Sequence, residues 1–237
     1  MPQTIKTWSF TRLSTYERCP LRAKFAYIDR IPEPERPLPP GKTEHANDRG
    51  TRIHDAAERF VKGGIELIPE LSAFEPEYKK LRELYSEGRV SLEREWAFNA
   101  QWQPTSWDSH EAWVRVKLDA FVRVSKTRGI VIDYKTGRKS GNELKHADQC
   151  ALYQLSAFLL YPELKEIDAE LWYLDQDELS RVHYTREQGM KFFRRFDDRA
   201  RKMTSATEFA PSANRFNCRW CPYGIEGTGH CEKATSF

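Results

Sequence analysis

The sequence predicts an α/β layer fold, and three observations carry that expectation. Val114, Val116, Leu118, Ala120, Val122 and Val124 alternate without a break against Arg115, Lys117, Asp119, Phe121 and Arg123, which is the period of a half-buried strand. Apolar residues at helical spacing lie on either side of it: Ile53, Ala56, Ala57, Phe60 and Val61 before, Met190, Phe193, Phe196, Ala200 and Met203 after. The chain order helix, strands, helix, strands, helix then suits a sheet with helices packed on it. A length of 237 residues suits one large domain or two small ones. A single domain over 1–237 is expected, with an N-terminal helix and connector over 1–46, a core over 47–205 and a cysteine-bearing segment over 206–237.

Each element has its own signal. Ser9 or Thr11 can cap a first helix that runs to about Tyr27, bent at Pro20. Ile31–Pro40 holds five prolines and reads as a stiff connector. Asn47 or Asp48 can cap the next helix, to about Lys62. Residues 75–88 read as a more polar helix. Leu92, Trp96 and Phe98 suggest a strand, and the alternating strand follows. Gly129 precedes the apolar strand Ile130–Ile132, and Gly137 and Gly141 mark a loop. His146 to Tyr161 reads as a helix ended by Pro162. Strands at about 168–174 and 180–184 form a hairpin. Thr185 caps a last long helix, and the tail from Ala210 is irregular.

Composition excludes collagen, coiled coil and wholesale disorder, since 39% of residues are hydrophobic and 31% charged. The longest apolar stretch, Cys150 to Tyr161, is interrupted by Gln154 and Ser156 and falls short of the ~18 residues a membrane span needs. No membrane partner is expected. No apolar segment follows Met1, and five cysteines are too few for a disulfide scaffold. An intracellular, reducing, cytoplasmic setting is therefore expected, where clustered cysteines point to metal. The net charge of +3 hides asymmetry. Residues 123–145 are basic (Arg123, Lys126, Arg128, Lys135, Arg138, Lys139, Lys145 against Asp133 and Glu143), as are 185–203, whereas 163–178 is acidic. Such patches suit a polyanion, or equally a set of solvated faces. Gly41-Lys-Thr43 resembles the end of a phosphate-binding loop. However, Arg36 stands where glycine is required, and Pro37, Pro39 and Pro40 offer no N–H. A helicase motor, if one is involved, is another chain.

The chemistry-bearing residues fall on these elements. Asp119 lies on the polar side of the alternating strand. Asp133 and Lys135 are two apart on the next strand and share a face. Two carboxylates on adjacent strands can hold Mg²⁺ or Mn²⁺, and a lysine beside them can hold a phosphate. By itself the D-x-K pair also fits a strand end with a solvated lysine. Gly50-x-x-x-His54 lies on the helix upstream, with Glu58 one turn on. His54 is a candidate third metal ligand or an ordinary helix-surface histidine. Gln149 and Tyr153, at i and i+4, put an amide beside a phenol, which can grip a phosphate and stack a base or simply belong to an amphipathic helix. Glu95 is a further acid for the cleft or a surface residue. Cys218-x-x-Cys221, Cys231 and the distant Cys19 can ligate a [4Fe–4S] cluster or a tetrahedral Zn²⁺, and for zinc His230 is a further candidate. Cys150 lies apart from these and reads as a small core residue.

Taken in order, Gly50-x3-His54, Asp119, Asp133-Tyr134-Lys135 and Gln149-x3-Tyr153 resemble the RecB-type nucleases of the PD-(D/E)XK superfamily, from about Thr11 to the C-terminus. One cysteine before that core and three after it resemble the iron–sulfur subgroup, which includes CRISPR-adaptation exonucleases and helicase-associated repair nucleases. The resemblance implies a restriction-endonuclease-like core: a central mixed sheet flanked by helices, with the chain's two end segments joined by a metal cluster. It implies that His54, Asp119, Asp133 and the Tyr134 carbonyl bind Mg²⁺ or Mn²⁺. Asp119, Asp133 and Lys135 would be catalytic, and Gln149 and Tyr153 would engage DNA. Cys19, Cys218, Cys221 and Cys231 would hold a structural [4Fe–4S] cluster. The implied activity is metal-dependent DNA exonuclease in recombination or repair, acting on single-stranded DNA or free ends. A helicase or recombination protein is the implied partner in trans. One departure is Val116, where the family often has glycine. The alternatives are a non-catalytic DNA-binding or recombination-partner module on the same fold, and a zinc-stabilised interaction domain.

Overall fold

The computed structural model describes residues 3–35 and 37–235; Arg36 of the connector lies outside them. The chain divides into two compact units, Leu38–Ala112 with Val116–Arg194, and Met1–Pro37 with Trp113–Arg115 and Arg195–Phe237.

The first unit carries α3 (Ala46–Val61), a 3₁₀ turn at Pro69–Phe74, α4 (Glu75–Ser86), β1 (Val90–Phe98), β2 (Pro104–Thr105), most of β3 (Val114–Arg123), β4 (Arg128–Lys135), α5 (Glu143–Leu160), β5 (Glu166–Tyr173), β6 (Glu178–Thr185) and α6 (Arg186–Met190). The six strands form one sheet in the order β2-β1-β3-β4-β5-β6. It is mixed: β4 and β5 are parallel, joined by the crossover helix α5, while β3–β4 and β5–β6 are antiparallel. This is the expected α/β architecture of a mixed sheet flanked by helices.

One layer of the core is built by period. Ile53, Ala57 and Phe60 of α3 and Tyr78 and Leu81 of α4 pack on Ala120, Val122, Ile132, Tyr134 and Trp172 of the sheet. Phe74 stacks on Trp172 at 5.3 Å. Ile132 and Tyr134 face this layer, so Asp133 and Lys135 face away from it. α5 is buried on every side from Cys150 to Phe158, and a helix apolar all round belongs inside a protein. Its two interrupting polar residues are buried with partners. Gln154 Nε2 donates to the carbonyls of Ala151 and Gly189, and Ser156 Oγ to that of Leu152. Gly189 is required there, because a Cβ would fall 2.2 Å from Gln154 Oε1. The expected long helix after Thr185 is two helices: Thr185 caps α6 with a reciprocal box to Gln188, and the helix breaks at Lys191 before α7 (Phe192–Thr204).

In the second unit the expected single bent helix is also two, α1 (Phe10–Arg18) and α2 (Pro20–Tyr27), separated by an extended Cys19 with φ −160°. Pro20 opens the second helix, where its missing N–H costs nothing. Trp8 pairs with the start of β3, donating to Trp113 O at 2.8 Å and accepting from Arg115 N at 2.9 Å. The terminal segments meet here: Arg199 forms a two-pronged bond to Glu17, and Asn217 of α8 (Arg215–Cys218) donates to Arg18 O. Among the described residues, no helix is long and apolar enough to cross a membrane.

Candidate metal centre and cysteine cavity

The β3–β4 ladder runs from Arg123–Gly129 to Ala120–Ile132, and Asp119 and Asp133 follow immediately. There the N–H of Tyr134 donates to Asp119 Oδ2 at 2.6 Å. Asp119 Oδ1 lies 3.0 Å from His54 Nδ1 of α3. Glu93 of β1 completes the group: ligand atoms of His54, Glu93 and Asp119 all lie within 4.8 Å of one another. Burial alone would lower the His54 pKa, but its hydrogen bond to Asp119, with the charges of Asp119, Asp133 and Glu93, raises it above the ordinary value. Burial raises the Glu93 carboxyl, and the nearby Asp119 adds to that.

Asp133 stands beside this group, not in it. It is 4% exposed, and its Oδ2 lies 2.5 Å from Lys135 Nζ in an ion pair. Burial raises its pKa; Lys135 opposes the shift and Asp119 adds to it. For Lys135, burial alone would lower the pKa, but Asp133 outweighs it and the ammonium stays charged. Lys135 Nζ also donates to Gln149 Oε1 at 2.8 Å, and Gln149 Nε2 donates to Tyr153 OH at 2.6 Å. Tyr153 is buried, so this pair sits behind the lysine and fixes its head.

Glu58 and Glu95 do not join the group. Glu58 pairs with Lys62 at 2.5 Å, and Glu95 is exposed. Glu93 is the acid that the sequence reading missed. Its φ of +46° is left-handed, unusual for a glutamate inside a strand, and it breaks the alternation from which facing residues are read. Val116, where the family often has glycine, is buried.

The model of the PD-(D/E)XK nuclease superfamily matches residues 7–225. The chain belongs to the PD-(D/E)XK nuclease superfamily. The crystal structure of SSO0001 covers 99% of this chain and 89% of its own, at 15% identity and a TM-score of 0.50, which shows a shared fold. A search of curated proteins finds no match.

Members of the PD-(D/E)XK superfamily are generally nucleases that use Mg²⁺ or Mn²⁺, and the donor set here fits such an ion. It offers carboxylate oxygens and one imidazole, which suit hard divalent cations. The buried Asp133 carboxylate, paired with Lys135, stands beside this set as a further oxygen donor.

Cys19, Cys218, Cys221 and Cys231 line one cavity in the second unit, together with Arg22 and Phe25. Ser212 N donates to Cys19 Sγ at 3.4 Å. Burial alone would raise the Cys218 thiol, but hydrogen bonds from Thr235 and Asn214 outweigh it and lower the pKa. Burial raises that of Cys221. Among the described residues, no three of these sulfurs lie within 4.8 Å of one another, and His230 is not among the lining residues. Cys150 is buried in α5.

Proposed function

We propose that this chain is a RecB-type, metal-dependent DNA exonuclease with a structural [4Fe–4S] cluster, acting in DNA recombination or repair. The observation that carries the nuclease reading is the gathering of His54, Glu93 and Asp119 beside the Asp133–Lys135 pair at the end of the β3–β4 ladder.

His54, Asp119, Asp133 and the Tyr134 carbonyl hold Mg²⁺ or Mn²⁺ in this reading. A divalent cation there supplies charge that polarises a phosphodiester and acidifies water. The protein's own groups do the rest. Lys135, charged and held by Gln149, places a fixed cation where negative charge builds on the phosphate. Asp133 keeps that ammonium protonated and oriented. His54 is oriented by Asp119 through a 3.0 Å contact. Gln149 and Tyr153 position Lys135, and their contact with DNA is part of the same proposal. The substrate is single-stranded DNA or a free end, and a helicase or recombination protein in trans supplies processivity, in a reducing cytoplasm.

One fact supports the cluster: the four cysteines come from both ends of the chain and line one cavity.

The test is anaerobic purification, followed by digestion of end-labelled linear single- and double-stranded DNA with Mg²⁺ or Mn²⁺, with Asp133→Ala run in parallel. Loss of label from one end, absent in the variant, is expected. Iron and acid-labile sulfide should be present in the wild type and lost in Cys221→Ala. DNA binding without metal-dependent degradation by folded, iron-loaded protein would overturn the nuclease reading in favour of a non-catalytic binding module. Zinc without iron would overturn the cluster.

A further inference from the structure

Glu93 already has a cation. Lys117 Nζ lies 2.6 Å from its carboxylate, on the same face of β3 as Asp119, two residues away. We propose that Lys117 stands in for the divalent ion on Glu93, and that Glu93 is a further ligand of the centre which exchanges Lys117 for the ion when metal binds. This assignment rests on the metal centre proposed above and names two residues outside the motif set that led to it.

Three observations support the exchange. The first is geometric: the left-handed backbone at Glu93 brings its carboxylate into the group with His54 and Asp119, while Glu95, two residues on, stays exposed. The second is exposure. The Glu93 side chain is 21% exposed and that of Lys117 54%, so the lysine is the partner that can turn out into solvent. The charges of Glu95 and Glu58 also act on Lys117. The third is charge. Glu93, Asp119 and Asp133 carry three negative charges against Lys117 and Lys135. A divalent ion added to all five leaves a surplus of one positive charge, and the departure of Lys117 restores neutrality.

The test is Mn²⁺ binding to the metal-depleted full chain without DNA, read by the electron paramagnetic resonance of free Mn²⁺. Glu93→Gln should weaken binding about 10-fold or more, as loss of a ligand or its close support does. Lys117→Met keeps the apolar stem, removes the competing charge and should tighten binding severalfold. The two signs are opposite, whereas a merely structural ion pair would give the same sign from either side. Wild-type affinity in Glu93→Gln, or unchanged or weaker binding in Lys117→Met, overturns the exchange. Asp119→Ala separates the two levels. If it abolishes binding while Glu93→Gln binds normally, only this inference fails; if it binds Mn²⁺ as tightly as the wild type, the metal centre itself fails. Thermal unfolding of each variant without metal identifies any loss of fold.

Discussion

Two strands of one sheet carry buried acids, and they treat them in opposite ways. On β5, Asp168 and Glu170 are each 3% exposed and fully partnered. Asp168 accepts from Arg128 at 2.7 Å and contacts His183 at 2.9 Å; Glu170 accepts from Trp172 Nε1 at 2.8 Å and from both arms of Arg181. On β4, Asp133 is as deeply buried but has one ion pair, to Lys135, with Asp119 adding like charge nearby. The pKa directions follow. Burial alone would raise Asp168, but Arg128 and His183 outweigh it and hold it below the ordinary value, whereas Asp133 is raised. A buried carboxylate surrounded by donors completes a structure. One held by a single lysine, with like charge beside it, is the arrangement the proposed cation site would use.

The comparison breaks first at the site. Asp119→Ala should cut DNA cleavage on the order of 10³-fold while leaving the far-ultraviolet spectrum and the unfolding midpoint near wild type. If cleavage survives, the β3–β4 acids are structural like those of β5. Glu170→Ala should do the reverse. It leaves Trp172 Nε1 buried without an acceptor and Arg181 without its partner, and should cost about 3 kcal/mol in urea unfolding, with cleavage by the folded fraction unchanged. A third variant, Gln149→Leu, removes the acceptor that holds Lys135 and nothing that the acids use. It should slow cleavage about 10–100-fold and change the high-pH limb of the rate profile, because the lysine's surroundings change. A slower rate with an unaltered pH profile would mean that Gln149 contributes only packing.

The sequence made the sites unequally legible. Asp119, Asp133 and Lys135 were readable because their strands alternate and a face can be assigned by parity. Glu93 was not, because its left-handed φ of +46° interrupts the parity of β1; Glu95, named as a further acid or a surface residue, is exposed. The acids of 163–178 looked like a solvated run. Their partners Arg128, Arg181 and His183 come from β4 and β6, brought alongside by the sheet register (Asp168 with His183, Glu170 with Arg181), and no local pattern announces such pairs. The break between α1 and α2 was half legible: Pro20 marked the place, but a kink and a new helix start share that signal. Gln154 and Ser156 interrupted an apolar run, yet they are among the most buried polar residues, since each spends its hydrogen bonds on backbone carbonyls nearby.

The smallest predicted effect is the pH signature of Asp168. A carboxylate held below its ordinary pKa of 3.8 contributes stability that is fully present above that value and is lost as pH falls through the lower folded pKa. Because Arg128 and His183 are nearly half exposed, solvent screens the interaction and its worth is about 1 kcal/mol. Asp168→Asn should therefore unfold at lower urea than the wild type at pH 7, and the gap should close below pH 3.8. His183 sharpens the comparison, since only its protonated form adds charge to the pair. If the gap between wild type and variant were the same at every pH, the value of Asp168 would lie in its shape and hydrogen bonds alone. The contrast with Asp133 would then be one of packing and not of charge.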